Sequence, residues 1–406
     1  MKRQFKPLTW ELAGVYVILA LALLGQFARL ELPVGRVSLH ELVLAPFSLF
    51  MIWKYRSNLL PTIRKSIVLL MTVFLFWTAA TTFFSAQSLQ IPALWTEGSA
   101  YLTRLMLYLV FGLGMWLWSR AKNFPAERLR TAVVSWLLLQ AAIGLGQYLL
   151  FPDTRLLFFL GWDDHLSRAF GTLLDPGFFG LFMAWGALMS FVSATHSTGK
   201  RRLFWISALS LCIGALALSY SRASYVAFLA GVGVLSWRWK QRSVLLLIPL
   251  LVLCLVLLPK DGGGEGQNLL RTRSIEAREE VLVYHSEGLG VNEILFGRGW
   301  YYESALALHE QALLEQDPGK QAAVSPRQNA QAVDNVFLHI FFSTGVVGFA
   351  LYATWQLLLL WKLRTSPELL AILVAVLAHS LFSTALLYSW SMLLLGVLSV
   401  SFQAKK

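Results

Sequence analysis

The chain has 406 residues, of which 57% are apolar and only 14% charged, and its mean hydropathy is +0.60. A water-soluble protein of this length carries far more charge, so the bilayer is the solvent this sequence is built for. The net charge of +12 does not point to nucleic acid, because Lys and Arg fall in short clusters between apolar runs, the pattern that orients membrane helices.

The expectation is an all-α, polytopic integral-membrane protein, one domain over 1–406. A basic stretch, 1–6, precedes the first apolar run without a small-residue cleavage site, and reads as a retained signal anchor. A spanning helix takes roughly 20 apolar residues, with about 17–25 tolerated. Nine candidate runs lie within 10–258, some of them shorter than this, at 10–28, 39–53, 66–84, 101–118, 131–150, 177–194, 203–220, 223–237 and 244–258. Three more lie within 335–402, at 335–361, 369–383 and 386–402, giving about 12 transmembrane helices. The stretches 203–237 and 368–402 each have basic residues at both ends: Arg201 and Arg202 against Arg238 and Arg242, and Lys362 and Arg364 against Lys405 and Lys406. If both flanks are cytoplasmic, each stretch must cross twice, which puts Arg222 at an outer turn rather than in hydrocarbon. With both termini cytoplasmic, the inner side holds 21 of the 34 Lys and Arg residues and, of the 22 acids, only Glu11, Glu127 and Glu368. Cys212 and Cys254 sit inside apolar runs and imply neither a disulfide nor a metal site.

Between the ninth and tenth spans lies a hydrophilic loop, 259–334, expected on the periplasmic side. It contains Gly262-Gly263-Gly264 and two stretches with helical patterning, 268–285 and 302–316. Amphipathic helices lying on the membrane suit a loop that closes over a site at the outer leaflet.

Four outer-face segments carry chemistry. The first runs from Arg168 through Gly171 to Asp175-Pro176, where Pro suits a helix start and Asp175 can cap it; a cap beside a snorkelling Arg accounts for the same residues. The second is Ser221-Arg222-Ala223, whose arginine needs a polar cavity or an anion, or else loop carbonyls. The third is Arg278 with Gly297-Arg298-Gly299 downstream. Arg278 also reads as a solvated helix charge, and Arg298 as part of an anion-binding turn or merely of a tight one. The fourth is Asp334-Asn335, with His339 one turn further on and Gly345 and Gly348 beyond. Asp334 reads either as a helix cap or as one member of an Asp/Asn/His cluster, with His339 able to titrate near neutrality. His285 and His309 have no metal spacing, and His379, alone in an apolar run, reads as a packed, hydrogen-bonded residue. With no nucleotide loop and no metal-ligand motif, the arginines point to an anionic lipid headgroup, above all a lipid-linked diphosphate, because a guanidinium grips phosphate with a rigid fork.

In their order along the chain, these segments resemble the bacterial O-antigen ligase and O-antigen polymerase superfamily. Arg168…Gly171…Asp175-Pro176 is similar to its Arg/Gly/Pro stretch before a helix, and Ser221-Arg222-Ala223 to its Ser-Arg-small motif. Arg278 with 295–299 is similar to the Arg helix and Gly-x-Gly turn of its large loop. Asp334-Asn335-Val336-Phe337-Leu338, ten residues before Gly345, resembles the segment that ends that loop. The resemblance implies a metal-independent, C-type glycosyltransferase without cofactor. It would move a glycan from undecaprenyl diphosphate to lipid A-core, or to another lipid-linked glycan, at the periplasmic face of the inner membrane. Arg168, Arg222, Arg278, Arg298 and Asn335 would bind diphosphate and glycan. The chain departs from the pattern where ligases commonly have His-Asn, since Asp334-Asn335 stands there. This tilts the reading towards a polymerase and leaves Asp334 or His339 as the base. A transporter or flippase is the competing class, although such folds usually carry internal repeats and broken helices at the midplane, neither of which the sequence displays. A non-catalytic scaffold is the third.

Overall fold

The computed structural model describes residues 8–32, 35–63, 65–160, 162–163, 165–239, 242–259, 268–269, 272–286, 288–306, 309 and 333–402. The basic ends of the chain, the glycine run at 262–264 and most of the expected helix at 302–316 lie outside these residues.

Among the described residues the architecture is helical apart from one small hairpin and an isolated bridge between Asp153 and Leu166. A helix occupies each of the twelve apolar runs. They are α1 (Trp10–Leu23), α2 (Leu39–Lys54), α3 (Ser66–Ser88), α4 (Pro92–Trp118), α5 (Ala126–Leu150), α6 (Pro176–Thr195), α7 (Gly199–Leu218), α8 (Arg222–Trp239) and α9 (Leu247–Val256), then, after the loop, α12 (Val336–Leu363), α13 (Pro367–His379) and α14 (Ser389–Ser401). Six of them, α3 to α7 and α12, are long and apolar enough to cross a membrane. The loop contributes α10 (Arg273–Ser286) and the short α11 (Val291–Phe296). The first matches the expected 268–285 helix, whereas α11 was not expected, being only six residues long. Also unexpected is the antiparallel pair β1 (Arg29–Leu32) and β2 (Gly35–Ser38) joining α1 to α2.

The helix α6 forms the centre: 78% of its most apolar window is buried, against 22% for α3 at the periphery. Small residues let its neighbours approach, as membrane helices require when no hydrophobic drive holds them together. A Cβ on Gly180 would stand 2.7 Å from the hydroxyls of Ser219 and Ser224, and one on Gly186 2.7 Å from the Cys212 sulfur. Each long apolar stretch divides into two helices at a turn. The first turn is at 219–221, where Tyr220 has φ 50°, and the second at 380–388.

One helix is interrupted. At Gly345 in α12 the backbone has φ 66° and ψ −172°, and the gap is filled by the turn that follows α11. There the amides of Arg298 and Gly299 donate to the carbonyls of Phe342 and Ser343 at 2.8 and 3.0 Å. A Cβ on Gly297 would lie 2.3 Å from the Ser343 oxygen, and one on Gly345 2.3 Å from the Leu295 oxygen, so both glycines are dictated by backbone lying against backbone. No broken helix was expected from the sequence. Among the described residues the break is plugged by backbone packed against backbone.

Candidate active site

The chemistry-bearing residues collect at one end of the bundle, where α6, α8 and α12 begin and α13 ends. Asp175 caps α6, its Oδ1 accepting from the Gly177 and Phe178 amides at 2.6 and 3.0 Å. Arg168 donates from Nε to the Ser219 carbonyl at 3.1 Å, tying the segment before α6 to the α7–α8 turn. Within that turn Ser224 Oγ donates to the Gly177 carbonyl at 2.8 Å and lies 3.2 Å from His379 Nε2. His379 also meets Ser383 Oγ at 2.7 Å through Nδ1, so it is the packed, hydrogen-bonded histidine its surroundings required. Arg222 opens α8 and reaches from Nη1 to the Leu269 carbonyl at 3.4 Å, which puts the hairpin arginine against the loop.

The turn after α13 is the meeting point. Arg278 donates from Nη2 to the Phe382 carbonyl at 3.1 Å, and its buried Nε has no hydrogen-bond partner among the described residues. Asn335 donates from Nδ2 to the Leu381 carbonyl at 3.0 Å, while its Oδ1 accepts from the amides of Phe337 and Leu338 at 2.9 and 3.2 Å. The expected cap at Asp334 is thereby corrected: Asn335 caps α12, because its extended backbone (φ −156°) turns the amide oxygen onto the first free N–H groups. Asp334 stands one residue outside, exposed. Part of its surface is open, but the protein around the rest removes water and pushes its pKa up. Arg278 pulls the other way, and Asp175 and Asp163 push it up further.

His339 is correspondingly not at the outer surface. It is buried, its ring centroid 4.9 Å from those of Trp300 and Tyr301, and its Nε2 has no partner among the described residues. Arg298 is engaged by protein. It donates to the His285 carbonyl at 3.2 Å and meets Glu293 at 3.3 Å, so the structure uses it to close the turn against α12. His285 sits beside the buried Glu303, Nδ1 to Oε1 at 3.2 Å; loss of water raises the Glu303 pKa, opposed by the charges of His285 and Arg298.

A polar cavity of about 120 Å³ lies between these two groups, lined among others by Arg29, Arg104, Tyr301, Tyr388 and Ser389. Tyr388 stacks on Phe178 at 3.7 Å on the Asp175 side, and Tyr301 stacks on Tyr101 at 3.7 Å on the His339 side. Arg104 is fixed by Glu41, Nε to Oε1 at 2.9 Å, and that carboxylate also accepts from Tyr108 and Ser389. Arg29 lies over the Trp162 ring at 5.1 Å, with its buried Nε unpartnered among the described residues. Sequence reasoning missed both arginines. Arg104 sat inside an apolar run, itself an intramembrane charge and so a signal of function. Arg29 depends on the β1–β2 hairpin, which the sequence did not reveal.

Residues 205–353 match the family model of the O-antigen ligases. The match supports a place for this segment, a little over a third of the chain, in the O-antigen ligase superfamily. That match, with the apolar helices, supports a membrane protein of the O-antigen ligase and polymerase type in general. The matched segment includes Arg222, Arg278, Arg298, Asp334, Asn335 and His339, and excludes Arg29, Arg104 and Arg168. No curated protein matches the chain.

Proposed function

We propose that this O-antigen ligase superfamily member transfers a glycan from undecaprenyl diphosphate to an acceptor hydroxyl at the periplasmic face, as a polymerase of lipid-linked repeat units. The observation that carries the reading is Asp334. It lies in the family segment, is relieved of capping by Asn335, and is open on one side beside Arg278. In this reading Asp334 takes the proton of the attacking hydroxyl as the bond to the sugar's anomeric carbon forms. Arg278 and Arg222, with the Arg29–Arg104 cavity behind them, hold the diphosphate as it leaves. Fixed guanidinium groups aimed at a leaving diphosphate stabilise charge as it develops, and they need no reorganisation to do so. Arg298, already paired with Glu293, contributes by holding the loop. All twelve helices cross the membrane in this reading, both termini are cytoplasmic, and the loop is periplasmic.

The test is the pool of lipid-linked glycan in a strain lacking the gene. Accumulated single repeat units support a polymerase, and full-length lipid-linked chains make the protein a ligase instead. An unchanged pool rejects transfer altogether.

A further inference from the structure

A second cavity runs along the helices of the bundle. It is an apolar cleft of about 230 Å³ between α3, α4, α12 and α14, lined by residues such as Met71, Leu109, Leu359 and Leu395. Lys65, just before α3, and Lys362, in the last turn of α12, stand at its basic mouth. Both ammonium groups face one indole, Lys362 Nζ 3.7 Å and Lys65 Nζ 5.2 Å from the Trp116 ring centroid. Arg120 is the third cation there: burial, and after it the charge of Arg120, lower the pKa of Lys65. Among the described residues no carboxylate pairs with Lys65, Lys362 or Arg120, although Lys54 and Arg130 have Glu11 and Glu368.

Lysines that merely mark the inner side of a membrane protein extend their amines into water. These two are half-buried and line a cleft that no side chain fills. Gly112 lines it too, and a Cβ there would meet nothing within 4 Å. Crowded cations above an apolar slot between helices are complementary to one kind of molecule, an anion carrying a hydrocarbon chain.

We propose that this cleft binds an anionic phospholipid, with its phosphate between Lys65 and Lys362 and an acyl chain running down the slot. The lipid-linked donor of the transfer reaction is not the occupant, because its phosphates belong at the other end of the bundle. The exclusion of the donor rests on the transfer reading, whereas the anionic-lipid site rests on the cleft and its lysines alone. Leu105, Leu387 and Met392 line both this cleft and the Arg29 cavity, so the chain end of the lipid packs beneath the candidate site.

The test is thermal unfolding of the full-length protein in neutral detergent, titrated with phosphatidylglycerol, with phosphatidylcholine of the same chains, and with inorganic phosphate. Wild type is stabilised by phosphatidylglycerol and by neither of the others. Apparent affinity falls about five-fold for each lysine removed in Lys65→Gln and Lys362→Gln, the effect of one basic residue on an anionic headgroup. Removing the exposed Lys200 and Arg201 instead leaves the titration unchanged. Gly112→Leu blocks the slot without touching a charge and abolishes the response. Equal stabilisation by phosphatidylcholine, or by phosphate alone, overturns the proposal. So does a wild-type response retained in both lysine variants, or in Gly112→Leu.

Discussion

The most informative perturbation is Asp334→Asn, because the structure separates the two roles this segment could play. The cap bonds of α12, at 2.9 and 3.2 Å, come from Asn335, so replacing the Asp334 carboxylate by an amide leaves them intact. Stability and insertion should therefore be unchanged. A positioned base contributes ~10²–10⁴-fold to rate, and at about 1.36 kcal/mol per tenfold its loss raises the barrier by roughly 2.7–5.5 kcal/mol. Asn335→Ala should behave in the opposite way. It loses a cap worth ~1 kcal/mol and the bond to the Leu381 carbonyl, about another 1 kcal/mol, so it lowers stability while each folded molecule keeps the base. The assay is transfer from purified lipid-linked donor, normalised to folded protein from thermal unfolding in detergent, with donor binding measured alongside. Asp334→Asn that transfers at the wild-type rate refutes the role given to Asp334. If His339→Ala is then active as well, no base lies in this segment.

Three further outcomes follow from the geometry. Arg278 holds the Asp334 pKa down while the surrounding protein, Asp175 and Asp163 hold it up, and a base works only when ionised. The acid limb of the pH–rate profile should therefore move to higher pH in Arg278→Gln; a limb that stays put or moves down contradicts the pairing. Gly345→Ala would force a side chain onto φ 66° and against the Leu295 oxygen, costing roughly 1–3 kcal/mol for the backbone and about 1–3 for the overlap; an unchanged melting temperature would contradict that packing. Arg222→Lys keeps the charge and loses the fork, so transfer should fall nearly as far as in Arg222→Ala, and full activity in the lysine variant would reduce Arg222 to a point charge.

What could be read from the sequence were features with a period or a composition. Twelve apolar runs were found as helices because bilayer-facing surface has to be apolar over its whole length, whatever it packs against. The α10 helix was legible from its amphipathic spacing. The division of each long run into two helices was legible from its length, too great for one crossing, and from the basic residues at both ends. Contacts made through the backbone were not legible. Gly297 and Gly345 were visible as glycines, yet nothing local says that the turn at one plugs the helix break at the other, 48 positions along the chain. The cap was misplaced by one residue, since Asp334 and Asn335 are equally good capping types and only the backbone angle at Asn335 decides between them. Arg29 and Arg104 escaped because their meeting depends on a four-residue strand pair and on Glu41, which pairs with Arg104 only in the fold.

The displaced cap bears on the departure from the ligase pattern. Where the ligases that it resembles commonly carry His-Asn this chain carries Asp-Asn, and the Asn of that pair has a mechanical role, holding the start of α12 and the turn after α13 together. A residue so engaged leaves the position before it free of structural duty, so that position can change from His to Asp without disturbing the helix start. A histidine there would need no arginine to keep it unprotonated near neutral pH. An aspartate in a partly dehydrated site near two other acids has its pKa pushed up, and Arg278, which donates to the Phe382 carbonyl, opposes that rise. Asp334 and Arg278 thus make sense as a pair. Replacing Asp334 by His should restore a base, and it should at the same time remove the dependence of the acid limb on Arg278. The double variant Asp334→His, Arg278→Gln should then have its limb where Asp334→His alone has it. A further shift on adding Arg278→Gln would show that the arginine acts on something other than the base.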